Sequence, residues 1–468
     1  MRRKRFFIGS LVVAFAVVLT VGIAVASSQS GGDLPALTPA ELLVKVAEEA
    51  PNTTTVSGDI AWNNDLLGVG AVQLPGDQGA LFSLLLAGSG RFWHQDGMVR
   101  FESQGRNGDM IVVANGETVW VYSSQSATAT EYTLPAKPAD ASDAETSTTT
   151  GATSTTDATS AADAAGAVDL PRKIQEMVEG LAPYADLTVT TGVVAGRDSY
   201  VLVMTPTAEN TVVGSLQATF DGETFLPLRV QVFAAEDPKP VIDAGFTTIS
   251  YDQVAAGSFE FTPPADATVE LTILSMPAGM MNGMMGMMDG TMGTFGHRDG
   301  DGSPADRMEK EEPLTLEEAA AKAGFALVTP TDPALPFEGA YVMTPPADFA
   351  LADMMRGTHG DAAGGVGDGT ADAALPPTAP LVALKYGEGF GTVMMIETQV
   401  ADTQWTELTT ALAEVPLFGT SSPFGGRQVY QLSTRLGSIV VWRQGDTVVL
   451  VGGSVSRADL EAFVAGVR

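Results

Sequence analysis

GRDSYVLVMTPTAENTVVGSLQATFDGETFLPLRVQVFAAEDPKPVIDAGFTTISYDQVAAGSFEFTPP, from Gly196 to Pro264, is the stretch whose reading decides the fold. Leu216, Ala218 and Phe220 alternate with Gln217 and Thr219; Leu226, Leu228, Val230 and Val232 alternate in the same way around Arg229 and Gln231. A period of two buries one face of a strand and wets the other. Asp221-Gly222 separates the two runs, so they read as an antiparallel hairpin on an Asp-Gly turn. Pro227 has no N–H for a ladder, which places it at a strand start or an edge. The continuous apolar run Tyr200–Met204 reads as a strand covered on both faces. Phe259-Glu260-Phe261 alternates again before Pro263-Pro264 ends the pattern.

Upstream the same grammar recurs. Thr55–Trp62 reads as a strand, and Leu66–Leu86 as a loop or short helix. Phe92-Trp93, a turn at Asp96-Gly97, and Met98–Glu102 form one hairpin; Met110–Ala114, Asn115-Gly116 and Thr118–Tyr122 form another. Asn-Gly between apolar runs is the strongest short hairpin signal. Thr128–Leu134 adds one more strand. Two helices accompany them. Thr38-Pro39-Ala40-Glu41 is a capping box with proline in the first turn. Pro171–Leu181 sets Ile174, Met177, Val178 and Leu181 on one helical stripe. Residues 136–167, mostly Ala, Thr, Ser and Asp, are too poor in large apolar groups to offset chain entropy and read as a disordered insertion.

Downstream, a Met/Gly/Asp-rich linker over 273–312 leads to a second α+β unit over 313–468, itself interrupted by a low-complexity loop at 357–376. It opens on the capping box Thr315–Glu318 with a stop at Gly324. Strands are expected at Leu381–Tyr386, Gly391–Glu397, Gln428–Leu432, Ser438–Arg443 and Thr447–Val451. A final helix follows Ser456, with Leu460, Phe463 and Val464 turned inward.

Composition bounds the function. The 468 residues carry 25 basic and 56 acidic side chains, a net charge of −31, which repels nucleic acid and anionic membrane surfaces. There is no cysteine, so disulfides, thiol catalysis and a lipidated N-terminal cysteine are out. Within residues 1–30, Arg2, Arg3, Lys4 and Arg5 precede the uncharged run Phe6–Ala26. A basic head on an apolar run is an export signal, with Ala24-Val25-Ala26 as a cleavage site. The run is also about the length of a membrane-spanning helix, so it serves equally as an anchor with the bulk of the chain outside.

Four stretches carry a family resemblance: Ala40-Glu41-Leu42-Leu43, Asn115-Gly116-Glu117-Thr118-Val119-Trp120, VVGSLQATFDGETFLPLRVQVFA from Val212 to Ala234, and Phe261–Pro264. Through them about residues 38–264 resemble the LolA/RseB-like superfamily of exported proteins, in particular its actinobacterial lipoprotein-carrier and sigma-factor-regulator types. The resemblance implies a curved antiparallel half-barrel wrapped around helices over 31–272, with an apolar concave face for acyl chains or a lipidated partner. It implies an extracytoplasmic location, anchored or secreted. The long insertion and the C-terminal unit depart from a minimal carrier.

No catalytic constellation is legible, and no cofactor is expected: there is no nucleophile elbow and no phosphate-cradling glycine loop with a lysine. The expectation is a non-enzymatic binder of lipid or lipidated protein. Its ligand face is expected to include Phe92, Val99, Phe101, Val119, Leu216, Phe220, Leu228 and Val230, residues that an ordinary core would also use. The alternative is a regulator docking on an anti-sigma factor. A weaker one is a copper binder: thioethers suit Cu(I), and Met281, Met284, Met288 and His297 sit in a methionine-rich run. Glycines throughout that run favour a plain linker instead. The acidic run from Asp299 fails as an EF-hand, with Pro304 at its sixth position and Lys310 at its twelfth. His94 reads as a strand residue; His297 and His359 lie in low-complexity sequence.

Overall fold

The computed structural model describes residues 34–68, 87–105, 108–115, 118–133, 171–255, 257–273, 312–331, 333–344, 379–414, 418 and 421–468. The export or anchor segment, the methionine-rich run with Met281, Met284, Met288 and His297, and the insertion at 136–167 lie outside them, as do His359 and residues 69–86. Among the described residues, no helix is long and apolar enough to cross a membrane.

The larger part is a twelve-stranded sheet, α+β in class, open rather than closed, and bent into a half-barrel around two helices. Its strands are β1 (Thr55–Asn64), β2 (Ala87–Gln95), β3 (Met98–Gly105), β4 (Gly108–Ala114), β5 (Thr118–Ser123), β6 (Thr128–Thr133), β7 (Ala185–Val194), β8 (Arg197–Pro206), β9 (Val213–Asp221), β10 (Pro227–Ala234), β11 (Pro240–Phe246) and β12 (Thr268–Ile273). They run in the order β12-β6-β5-β4-β3-β2-β1-β11-β10-β9-β8-β7. All neighbours are antiparallel except β12 and β6, which are parallel.

Helix α1 (Pro39–Glu49) starts as its sequence dictates. The Thr38 hydroxyl accepts from the Glu41 N–H, and the Glu41 carboxylate accepts from the Thr38 N–H at 2.8 Å. Leu42, Leu43 and Val46 of α1 pack on Tyr200, Leu202, Ala218 and Phe220. Helix α2 (171–181) packs Met177 and Leu181 on Met204, Leu216 and Val232. The two helices cover the β7–β10 end of the inner face.

Three expectations need correction. The β9–β10 hairpin is antiparallel as read, but its connection extends beyond Asp221-Gly222. It is a loop from Asp221 to Pro227, closed by the Asp221 N–H donating to the Leu226 carbonyl at 2.9 Å, with Phe225 in the left-handed region. Tyr200–Met204 is not covered on both faces: Tyr200, Leu202 and Met204 are buried, while Val201 and Val203 are half-exposed. Phe259–Phe261 is not a strand. The chain there crosses the outer face, where Phe261 meets the rings of Trp120 and Tyr122 at 5.6 and 6.0 Å. The Arg100 guanidinium donates to the Ser258 and Glu260 carbonyls at 3.0 Å, replacing the ladder that a strand would have supplied.

The C-terminal part is a seven-stranded antiparallel sheet: β13 (Phe337–Met343), β14 (Leu381–Tyr386), β15 (Val393–Gln399), β16 (Ser422–Phe424), β17 (Arg427–Thr434), β18 (Gly437–Gln444) and β19 (Thr447–Gly453). Helices α3 (Leu316–Ala323) and α5 (Arg457–Gly466) cover one face; α4 (Asp402–Glu414) packs Leu408 and Leu412 on the other. The Gly324 stop of α3 adopts φ +80°, the left-handed cap that glycine supplies without strain. This sheet meets the larger one through Phe390, which joins the cluster around α2, and through Arg435, whose guanidinium pairs with both Asp65 and Asp237.

Candidate ligand-binding face

Register sorts the candidate residues. Residues paired across a ladder share a face of the sheet. Phe92 pairs with Phe101, His94 with Val99, Ala114 with Val119, Phe220 with Tyr200, Leu216 with Val232, and Val230 with Ala218. Followed through β1 and β11, these rows place seven of the eight candidates on the inner face; Leu228 is the residue at which the β9–β10 register shifts. The structure brings the seven to one surface but gives the candidates two environments. Leu216, Phe220, Leu228 and Val230 are buried at the helix-covered end. Phe92, Val99 and Phe101 are half-buried in the other half of the sheet, and Val119 on the same face is buried.

Among the described residues, the apolar cluster of that second half comes from strands: Ala114 and Val119, with Val99, Val112, Val121 and Tyr132. Three rows run across it. His94, Val99, Ala114, Val119 and Tyr132 form the base. Phe92, Phe101, Val112 and Val121 form a half-exposed middle row. Gly90, buried Ser103, Met110 and Ser123 form a third row. None of these positions is Asp, Glu, Lys or Arg. The outer face of the same strands carries Arg91, Arg100, Glu102, Asp109 and Glu131.

Trp62 completes the floor and was missed from the sequence. Its ring stands 6.0 Å from that of Phe101, and Phe92 stands 6.2 Å from Phe246. The glycines opposite explain how the rings fit. Trp62 pairs with Gly88, and a Cβ there would enter the indole; a Cβ on Gly90 would come within 2.8 Å of the Phe101 ring. Glycines two apart on a strand beside an aromatic were the legible signal, since Gly in a strand marks a close approach.

The titratable groups of note lie elsewhere. Burial alone would raise the Asp221 carboxyl. The Arg197 guanidinium at 2.7 Å, the N–H groups of Thr224 and Glu223, and the Tyr251 hydroxyl outweigh it and bring its pKa down to about 2. Glu397, fully buried in the C-terminal core, is pushed up to about 7 by burial, only partly offset by the Val328 N–H at 2.8 Å. Among the described residues, no group of three or more His, Cys, Asp or Glu side chains is placed to hold a metal ion.

No protein-family model matches the sequence, and no curated protein matches it significantly. Solved structures do. The Pseudomonas aeruginosa MucA/MucB complex is similar at 13% identity and a TM-score of 0.35, over 92% of this chain and 98% of that one. An uncharacterized conserved protein from Thermus thermophilus is similar at 11% identity and a TM-score of 0.27, over 50% of this chain and 98% of that one. A LolA superfamily protein from Nitrosomonas europaea is similar at 10% identity and a TM-score of 0.18, over 48% of this chain and 99% of that one.

Proposed function

We propose that this chain is a non-enzymatic, extracytoplasmic binder of lipid or lipidated protein. The observation that carries the reading is the charge-free inner face of β2–β6, where Phe92, Val99, Phe101, Val112 and Val121 are half-exposed among the described residues and Trp62 of β1 stands beside Phe101. Acyl chains suit such a surface: each buried methylene contributes roughly 0.8 kcal/mol, and the sheet offers no carboxylate or cation to desolvate. Leu216, Phe220, Leu228 and Val230 then serve as the core that holds the curvature, and Phe92, Val99 and Phe101 as the contact residues. The test is extraction of the chain from residue 27 onward with organic solvent, followed by titration with a fluorescent fatty acid. Stoichiometric co-purified lipid, or saturable binding weakened in Phe101→Ser, supports the reading. No lipid and no binding would sink it.

The regulator reading has one observation in its favour. Strand β12 closes one end of the sheet order, and Val269 and Leu271 on it are 51% and 78% exposed. An edge strand with free apolar side chains can accept an extended segment of a partner. Recovery of a single-pass anti-sigma-type protein from membranes, lost in Leu271→Lys, would favour this reading over the carrier.

A further inference from the structure

We propose that the outer face of the half-barrel carries a separate saccharide-binding cleft, formed by β1, β2 and the bend that follows β11. The cleft is open, about 340 Å³ in volume, and lined by Ser57, Asp59, Arg91, Trp93, Thr248 and Ser250 among others. Ser57 pairs with Trp93 and Asp59 with Arg91, so the indole, the carboxylate, the guanidinium and a hydroxyl project side by side from two adjacent strands. The bend forms the facing wall. It is fixed by the Thr247 N–H donating to the Asp59 carbonyl at 2.8 Å and by reciprocal backbone bonds between Ser57 and Ser250 at 2.8 and 2.7 Å.

The chemistry of this lining selects its ligand. Trp93 is half-buried, which leaves part of its ring to the cleft. Arg91 and Asp59 are 69% and 53% exposed, and their closest approach is 3.6 Å, too long for a hydrogen bond. Each therefore keeps bonding capacity toward a third group. The Asp59 carboxylate already accepts from the Thr248 hydroxyl at 2.9 Å, which holds it in place. A flat ring for C–H faces, a planar fork of donors and a carboxylate acceptor are the complement of a sugar, which presents an apolar ring face edged with hydroxyls. An acyl chain gains little from such polar walls. An anion gains from Arg91 but meets Asp59 beside it, so the pair presents no net charge and favours a neutral hexose.

The cleft lies on the opposite side of the sheet from Trp62, Phe92 and Phe101, so it stands or falls independently of the lipid reading. The experiment applies the full chain to immobilised oligosaccharides with neutral hexose, N-acetylhexosamine and anionic termini. We expect saturable binding to neutral termini, at least tenfold weaker in Trp93→Ala and in Asp59→Asn, and unchanged in Trp62→Ala on the inner face. Asp59→Asn keeps the shape of the exposed side chain, so it reports on the cleft even where Trp93→Ala lowers the melting temperature. Binding to no glycan, binding to anionic glycans alone, or equal binding by wild type and Asp59→Asn would each overturn the proposal.

Discussion

The two sheets of this chain treat their apolar faces differently. The seven-stranded sheet is covered on one side by α3 and α5, where Leu384, Met395 and Val449 are fully buried, and over part of the other by α4, which leaves Met394, Leu432 and Leu450 half-exposed and Ile439 exposed beside it. The twelve-stranded sheet is covered by helices over its β7–β10 end and leaves Phe92, Phe101 and Val112 half-exposed at the other. Apolar residues are spent on stability in the first case. In the second they are left in reach of solvent, which costs free energy unless something else covers them.

The largest effect that would sharpen this contrast is a pair of truncations. Leu384→Ala should cost about 2–5 kcal/mol of stability in denaturant unfolding. Phe101→Ala, half-exposed, should cost about 1–2 kcal/mol while removing most acyl-probe binding. Equal stability losses with binding intact would break the comparison.

Next is Glu397. Its pKa rises from 4.5 to about 7 on folding, so the stability tied to its neutral form is complete below about pH 4.5 and is lost as pH rises through 7. At 1.36 kcal/mol per unit, the loss amounts to about 3 kcal/mol. Glu397→Gln should flatten that dependence and raise the melting temperature at pH 8; no change there would refute it. Asp221 has the opposite sign, its contribution lost as pH falls from about 4 toward 2.

A smaller effect is expected at the floor. Gly88→Ala should cost about 1–3 kcal/mol by displacing Trp62 and shift indole fluorescence; an unchanged spectrum would mean that the ring does not rest there. The smallest is Arg435→Ala, a part-exposed clamp, worth about 1 kcal/mol. It should quicken proteolysis between the two parts without lowering acyl-probe affinity.

Much of the fold was legible because period-two runs and capping boxes are local signals. Thr38, Thr315 and Ser456 cap as read, and β14, β15, β17, β18 and β19 overlap the spans where strands were expected. Elements decided by distant partners were not legible. Strand β12 pairs with β6 across more than a hundred residues, and β7 is a terminal strand whose Thr188, Thr190 and Thr191 blur the alternation. Helix α4 was missed because its apolar stripe is narrow, essentially Leu408 and Leu412 beside Trp405. Phe259–Phe261 shows the reverse error: alternation was present, but Arg100 took the carbonyls. Seven of the eight candidate residues share a face because both hairpins belong to one sheet; which of them lie under helices was a tertiary matter.

The glycines under the aromatic floor constrain the protein's evolutionary future. At Gly88 and Gly90 every replacement adds atoms, and each added atom meets Trp62 or Phe101. Mutation from below can therefore only make the surface shallower. A lineage adapting to a bulkier occupant would have to trim the rings themselves, so divergence in specificity should be recorded at positions 62 and 101 while 88 and 90 stand still.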